Sequence, residues 1–308
     1  MIYKYQFTFN NFKESMAENK CDHDKNDEDN TILYLNAMSI IAFNAPNMIL
    51  NLSNDELCRV RNRKGNGSNI ALAELNRRNP NLKKLDDTSI KVAVEDYDTN
   101  KKDSVLKWGH IEYWDVSSVT DMSEIFAYCG YFNGDLSKWD VSSVTKMNSM
   151  FCRCKIFNGD LSRWDVSSVT NMSEMFYNIM IFNGDLSRWD VSSVTNMNNM
   201  FYNNKKLEGC FANWNVSSVT NMNHMFIYCD KFNSDLSRWD VSSVTSMEFM
   251  FNKCVNFNSD LSEWNVSSVT NMRCMFYECN EFNGLACAKW DVSSVTSMEF
   301  MFNKCVNF

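Results

Sequence analysis

The sequence predicts an α/β solenoid, in which short and similar repeats stack one on another. The first observation is a tryptophan that recurs eight times, at Trp114, Trp139, Trp164, Trp189, Trp214, Trp239, Trp264 and Trp290. The second is that each tryptophan opens the same phrase, W-[DN]-V-S-S-V-T-x-M, at a spacing of 25 residues that lengthens to 26 once. A fixed period of this length is typical of solenoids, where each repeat covers the apolar face of the next. The near-invariant residues are therefore expected to form a shared core.

Each repeat is predicted to contain a short strand. Around Trp139 the pattern L-S-K-W-D-V-S-S-V has the L-x-x-L-x-L spacing of a leucine-rich repeat, with Trp and Val in strand positions. Side chains of a strand alternate between its faces, so Trp139 and Val141 are expected to point inward together. Strands of successive repeats are expected to lie parallel, about 4.8 Å apart. The predicted fold is thus leucine-rich-repeat-like, with a parallel strand stack.

One short helix per repeat is predicted to follow the strand. The apolar residues recur with gaps of 3, 3, 1, 3 and 3, at Val144, Met147, Met150, Phe151, Cys154 and Phe157. Such spacing keeps one face of a helix apolar. Ser142 and Ser143 are expected to cap the first N–H groups of that helix. The F-N-G-D sequence after it predicts a return turn in which asparagines of successive repeats stack.

Composition argues against several classes of function. The net charge is −8 and no run of Lys or Arg reverses it locally, so nucleic acid is not expected as a partner. Of the twelve cysteines, six share one repeat position, which holds Ile179 and Asn204 in the other two copies. That slot predicts buried, free thiols, without disulfides or a metal site. No phosphate-binding loop, dinucleotide motif or nucleophile with a base is found, so no enzyme, cofactor or small-molecule substrate is expected.

The chain is predicted to have four parts. Residues 1–30 are polar and are expected to be disordered. Residues 31–85 are expected to form a small helical region. Residues 86–113 are expected to cap the solenoid, and residues 114–308 contain the eight repeats, the last of them truncated.

Localisation is predicted from the N-terminal part. The first residues lack the charged start and apolar run of a secretory signal. The most apolar stretch is interrupted by Asn36, Asn44 and Pro46, which argues against a transmembrane segment. As written, the chain is expected to be cytoplasmic; a longer gene model would favour the cell surface.

The repeat resembles the BspA-type leucine-rich repeat family, whose units read V-T-x-M-x-x-M-F-x-x-C-x-x-F-N-x-D-L-S-x-W-D-V-S. The resemblance runs from Trp114 to Phe308. Ala93-Val94 and the W-G-H-I that begins at Trp108 are similar to the N-terminal cap of that family. The resemblance implies a binding surface without enzymatic activity, because its members are mostly known as cell-surface proteins that attach to other proteins or cells.

The residues that flank each tryptophan are the candidate binding site. On a strand they would point outward, and stacking would place like charges in columns that need compensation by Lys or Arg on the same face. The columns either keep an exposed, concave face soluble or bind an extended partner through many equivalent contacts. Calcium between the carboxylates is disfavoured, because no closely spaced multidentate loop is present. The candidate residues are Lys138, Asp140, Arg163, Asp165, Arg188, Asp190, Arg238 and Asp240.

The predicted function is a non-enzymatic protein-interaction scaffold. The alternatives are a cell-surface adhesin and a substrate adaptor of a ubiquitin ligase, the latter because the small helices expected before the repeats resemble an F-box. The sequence stops inside its eighth repeat, and a repeat array ordinarily needs a polar cap. We therefore expect either a truncated gene model or self-association of two chains through their C-terminal ends.

Overall fold

The computed structural model describes residues 84–308, which lie in the compact unit Asn81–Phe308. The disorder predicted for residues 1–30 and the small helical region predicted for residues 31–85, with its resemblance to an F-box, fall outside the described residues apart from the last two positions.

Within residues 84–308, two helices precede the repeats. Helix α1 spans Ser89–Thr99 and helix α2 spans Lys101–Trp108. The ring of Tyr97 on α1 lies 6.1 Å from the ring of Trp114 and 6.0 Å from that of Phe132, both edge to face. The α1 helix therefore closes the aromatic core of the first repeat on the side where no earlier repeat stands.

The prediction of one short helix per repeat is wrong. Among the described residues the repeats consist of consecutive turns, with one 3-10 turn at Leu285–Cys287 and another, Ile111–Tyr113, just before the first repeat. We call positions 7 to 14 after each tryptophan the turn segment, which is 196–203 in the copy that begins at Trp189. In that copy the amides of Met200, Tyr202 and Asn204 donate to the carbonyls of Met197, Asn199 and Phe201, each three residues earlier. These turns, each closed by a bond between residues three apart, bury the same apolar positions as the expected helix.

The turn segments of successive repeats are joined by a backbone ladder. Every second amide donates to the next repeat, so the amides of Met197, Asn199, Phe201 and Asn203 bond the carbonyls of Asn221, Asn223, Met225 and Ile227 at 2.7–3.0 Å. Parallel bridges join equivalent positions all along the array, as between Asn196 and Asn221. The parallel contact thus begins seven residues after each tryptophan, and the expected strand ladder at the Trp-x-Val pattern itself is not observed within the repeats that the structure describes.

The turns require left-handed backbone at two positions in every repeat. In residues 84–308, sixteen residues other than glycine have positive φ, and they occupy positions 10 and 14 after the eight tryptophans, such as Asn199 at 56° and Asn203 at 57°. Asparagine tolerates this region well, whereas a branched Cβ is severely crowded there. None of the sixteen is Val, Ile or Thr. The variable positions of the repeat therefore obey a steric rule imposed by the backbone.

The predicted burial of the invariant residues is confirmed. Trp189 is 3% exposed, and Val191, Met197 and Phe201 are at most 1% exposed. The phenylalanines 12 residues after each tryptophan stack along the array with centroids 5.6–5.8 Å apart. Each indole N–H from Trp139 onward donates to a carbonyl 28 or 29 residues earlier in the chain at 2.8–3.0 Å. The core is therefore apolar and has its indole donors satisfied.

The cysteine slot is a donor position as well as an apolar one. The ten cysteines of residues 84–308 are free, as predicted, and most are buried. Five of those in the repeat slot donate S–H to the carbonyl of a phenylalanine in the preceding repeat at 2.8–3.0 Å, namely Cys154, Cys229, Cys254, Cys279 and Cys305. Asn204 makes the same bond through its amide, to the Phe176 carbonyl at 2.7 Å. The slot selects a small side chain that can donate, although Ile179 shows that the bond is dispensable in one copy.

The expected stacking of asparagines in the return turn is also found. The amide of Asn183 donates to Oδ1 of Asn158 at 2.9 Å, and the same bond recurs between other neighbouring copies. These side chains satisfy turn amides that have no other partner in the repeat.

Trp189→Ala is expected to destabilise the array by about 3–5 kcal/mol, because it opens a cavity in a shared core and leaves the Leu161 carbonyl without its indole donor. Asp190→Ala removes exposed contacts and is expected to cost about 1 kcal/mol. Chemical denaturation of the two variants measures the difference. Equal losses would contradict the assignment of inner and outer faces.

Asn199→Val is expected to lower the free energy of unfolding by about 1–2 kcal/mol, because position 199 has positive φ. Asn199→Gly should be nearly neutral, since glycine adopts this conformation freely. Asn198→Val, at a neighbouring position outside the left-handed region, is the matched control. If valine is tolerated equally at both positions, the turns described above are not those of the protein in solution.

Candidate functional site

The aspartates that follow the tryptophans are used by the backbone of their own repeat. Oδ1 of Asp140 accepts from the amide and the hydroxyl of Ser142, at 3.2 and 2.7 Å. The same turn is made by Asp165, Asp190 and Asp240 with the serine two residues later. The prediction that the serine pair caps a helix is therefore wrong: the first serine donates to the preceding aspartate, and Ser143 donates to the Ser117 carbonyl of the repeat before.

An amide can replace the carboxylate in this turn. Asn215 occupies the slot of Asp140 in another copy, and its Oδ1 accepts from the amide and hydroxyl of Ser217 at 3.2 and 2.8 Å. Because a neutral oxygen makes the same bonds, the column of aspartates is explained by turn formation alone.

The cations before the tryptophans do not pair with those aspartates. Arg163, Arg188 and Arg238 are exposed, and within the described part of the chain no ion pair joins them to Asp165, Asp190 or Asp240. Ser162, through its hydroxyl and amide, and then Arg163 lower the pKa of Asp160, which lies three residues before Arg163. The ammonium group of Lys138 lies 4.7 Å from the Tyr113 ring centroid. The expected charge compensation between the arginines before the tryptophans and the aspartates after them is therefore not found among residues 84–308; Arg163 and Lys138 interact with Asp160 and Tyr113 instead.

Large differences between repeats lie on the outer side of the turn segments, which sequence reasoning missed. Besides positions 16 and 17 in the loop that follows, positions 9, 10, 13 and 14 after each tryptophan change from copy to copy. Position 13 holds Ala127, Cys152, Tyr177, Tyr202, Ile227, Asn252, Tyr277 and Asn303, and position 14 holds Tyr128, Arg153, Asn178, Asn203, Tyr228, Lys253, Glu278 and Lys304. We call these four positions in the eight copies the variable face. The signal that could have revealed it is this variation.

A row of aromatic side chains crosses the first half of the variable face. The rings of Tyr177 and Tyr202 stack with centroids 4.6 Å apart, and Tyr228 meets Tyr202 edge to face at 5.9 Å. The guanidinium of Arg153 lies 5.3 Å from the ring of Tyr128 and 6.0 Å from that of Tyr177. The ladder thus brings residues 24 to 26 positions apart in sequence into direct contact at the surface.

Charged pairs continue the row towards the last repeats. Lys253 lies 4.9 Å from the Tyr228 ring centroid and 3.7 Å from a Glu278 carboxylate oxygen. Glu278 also pairs with Lys304 at 2.6 Å. Such partly exposed pairs add little to stability, but they hold both charge signs in fixed places on the surface.

The comparison with known families concerns these same repeats. Residues 95–210 and 204–308 each match the family described as "Mycoplasma protein of unknown function, DUF285". The chain belongs to this family. The two DUF285 matches overlap within the fourth copy and together extend from α1 to the last repeat. No curated protein and no solved structure matches the chain.

The DUF285 array presents side chains in rows. Between residues 84 and 308 no three His, Cys, Asp or Glu side chains are placed to hold a metal ion. Burial raises the pKa of the Cys229 thiol, which keeps it neutral and poorly nucleophilic. The helices of this part of the chain are too short and polar to cross a bilayer. What the arrangement offers is a long, pre-ordered contact surface.

Replacing Asp190 and Asp240 by Asn is expected to preserve the fold and to reduce its loss of stability in acid. The hydroxyls and amides of Ser192 and Ser242 lower the pKa of these carboxyls. Their contribution is therefore complete above the ordinary aspartate pKa of about 3.9 and is lost as the pH falls through the lower folded-state pKa. Asparagine keeps the contacts, as at Asn215, and does not titrate.

Denaturant unfolding at a series of pH values between about 7 and 3 measures this difference. An unchanged pH dependence in the double variant, or a large loss of stability at neutral pH, would contradict the turn-forming role of the two carboxylates.

Proposed function

We propose that this chain is a non-enzymatic protein-interaction scaffold, a solenoid of the BspA-type leucine-rich repeat kind that binds a protein partner through its variable face. The observation that carries the proposal is the contrast between positions. The buried Trp, Val, Met and Phe positions are repeated almost unchanged, whereas positions 9, 10, 13 and 14 carry different aromatic, amide and charged side chains on adjoining repeats.

The composition of the variable face fits a protein partner. Tyrosine and arginine are the residues that most often dominate binding energy at protein interfaces, and Tyr128, Arg153, Tyr177, Tyr202 and Tyr228 lie in one row. Their mutual contacts restrict their rotamers before binding, which lowers the entropy lost on association. The surface carries both charge signs, and the chain is acidic, so a phosphate backbone is a poor alternative.

The shape of the array also favours a large partner surface. Seven steps of about 4.8 Å between parallel neighbours place the first and last copies roughly 34 Å apart along the ladder. The columns beside the tryptophans extend equally far, but the column after them holds Asp or Asn in every copy and the column before them holds mostly Lys or Arg, so they encode less specificity. We therefore place recognition on the variable face, and we assign Lys138, Arg163, Arg188 and Arg238 to a solvated surface.

A surface adhesin is the second candidate, and the repeat pattern itself favours it through the resemblance to BspA-type proteins. Buried free thiols instead favour a reducing compartment such as the cytoplasm. Labelling of intact cells with a membrane-impermeant reagent distinguishes a cell-surface location from a cytoplasmic one. The proposed binding surface is the same at both locations.

Three further expectations stay predictions. The first is a role as substrate adaptor of a ubiquitin ligase, which rests on residues outside the described part. The second is self-association through the C-terminal ends, and the third is the absence of a cofactor or small-molecule substrate.

The test compares two sets of substitutions in the immobilised chain. Tyr177→Ala with Tyr202→Ala is expected to weaken capture of the partner by more than about tenfold, because truncation of central interface tyrosines typically costs 2 kcal/mol or more. Reversal of Arg163, Arg188 and Arg238 to Glu is the matched control and should leave capture unchanged. Captured proteins are identified by mass spectrometry, the affinity for each is then measured, and melting temperatures confirm folding.

Retained binding by the tyrosine variant together with loss of binding by the arginine variant would move the site to the columns beside the tryptophans. Failure of both variants to change any interaction would reject a scaffold that uses either face of the repeats.

A further inference from the structure

The first repeat has a row of backbone carbonyls that accept no amide from residues 84–308, whereas the equivalent carbonyls of later repeats each accept one. In later repeats the carbonyls at positions 7, 9, 11 and 13 after the tryptophan accept amides from the preceding copy. The equivalents at positions 9 and 11 of the first copy are Ser123 and Ile125, and no donor among residues 84–308 reaches either carbonyl. The carbonyl of Ala127, at position 13, has only the thiol of Cys129 at 3.9 Å.

The N-terminal cap satisfies the neighbouring groups but not this row. The carboxylate of Asp87 accepts from the amides of Thr120 and Asp121, at 2.6 and 3.0 Å, and from the Thr120 hydroxyl at 2.7 Å. Tyr97 covers the core of the first repeat. Beside the unsatisfied carbonyls, α1 leaves an open cleft of about 480 Å³.

The cleft is electronegative. It is lined on the helix side by Glu95 and Asp98 and on the repeat side by Glu124, all exposed, against a single lining cation, Lys91. Burial, together with the nearby Asp98 carboxylate, raises the pKa of Cys129 to about 12, so this thiol adds no charge. Backbone acceptors and carboxylates therefore face the same space, with Val94 and Ile125 as its apolar wall.

We propose that this cleft binds an extended, basic peptide segment of a partner protein, which pairs with the open ladder edge. Amides of alternate peptide residues donate to the carbonyls of Ser123, Ile125 and Ala127, as the amides of a preceding repeat do elsewhere in the array. Lysine or arginine side chains of the segment meet the carboxylates of Glu95 and Asp98. This site shares Ser123, Glu124 and Ala127 with the first copy of the variable face but does not include the row of tyrosines, and it adds a second kind of contact to the proposed function.

The spacing of the acceptors selects a peptide over a simple cation. Three carbonyls on alternate residues match the amide spacing of an extended chain, whereas a lone amine would use one or two of them. The excess of carboxylates selects a basic over an acidic sequence, because like charges in the cleft would repel.

The experiment measures binding of a fluorescein-labelled hexapeptide of alternating alanine and lysine to the full chain by fluorescence anisotropy. Two N-methylated versions are compared, one methylated on the alanine amides and one on the lysine amides. Because alternate amides of an extended chain point to opposite sides, one version is expected to lose at least about tenfold in affinity and the other to bind almost normally. A hexapeptide of alternating alanine and glutamate is expected not to bind.

Variants locate the site. Glu95→Lys with Asp98→Lys, and separately Glu124→Lys, are expected to weaken binding of the lysine peptide by about tenfold or more. Glu263→Lys makes the same charge change at an exposed position remote in sequence and serves as the control. Tyr177→Ala with Tyr202→Ala should leave peptide binding intact, so that failure of this proposal is distinct from failure of the variable face. Circular dichroism confirms that each variant is folded.

Three results would overturn the proposal. The first is the absence of binding by the lysine peptide. The second is equal binding by both methylated versions, which would indicate charge attraction without ladder pairing. The third is unchanged binding by the cleft variants.

Discussion

The structure depends on the backbone ladder between turn segments. Four amides of each repeat, on alternate residues, donate to four carbonyls of the next, and this fixes both the spacing and the register of the copies. The intervening amides close turns within the repeat, so that almost every polar backbone group of the segment is used. Two left-handed residues per repeat are the conformational consequence, and they restrict which side chains the otherwise variable positions accept.

A second set of hydrogen bonds runs in the opposite direction, from each repeat to residues that precede it. Thr195 donates through its amide and hydroxyl to the Thr170 carbonyl of the preceding repeat, at 2.9 and 3.2 Å, and Trp189 and Cys229 do the same from inside the core. Invariance is thus explained by burial combined with a specific hydrogen bond. Positions outside this network, above all those of the variable face, are free to differ, and recognition belongs there for the same physical reason.

The sequence predicted the period, the buried residues, the free cysteines and the asparagine stack, because each depends on composition or spacing alone. It did not predict the turns, since apolar gaps of 3 suit consecutive i to i+3 turns as well as a helix. Ser142 resembled a helix cap, although its partner is Asp140 two residues earlier. The cleft beside Ser123 could not be foreseen, because which carbonyls lack a donor depends on how α1 lies against the first repeat.

Long-range scalar couplings across hydrogen bonds, measured by NMR on deuterated protein, report directly on the backbone ladder. We expect a coupling from the amide nitrogen of Phe201 to the carbonyl carbon of Met225, in the next repeat. A helical turn segment would instead couple Phe201 to the carbonyl of Met197, four residues earlier. Observation of the second coupling in place of the first would contradict the ladder and everything derived from it.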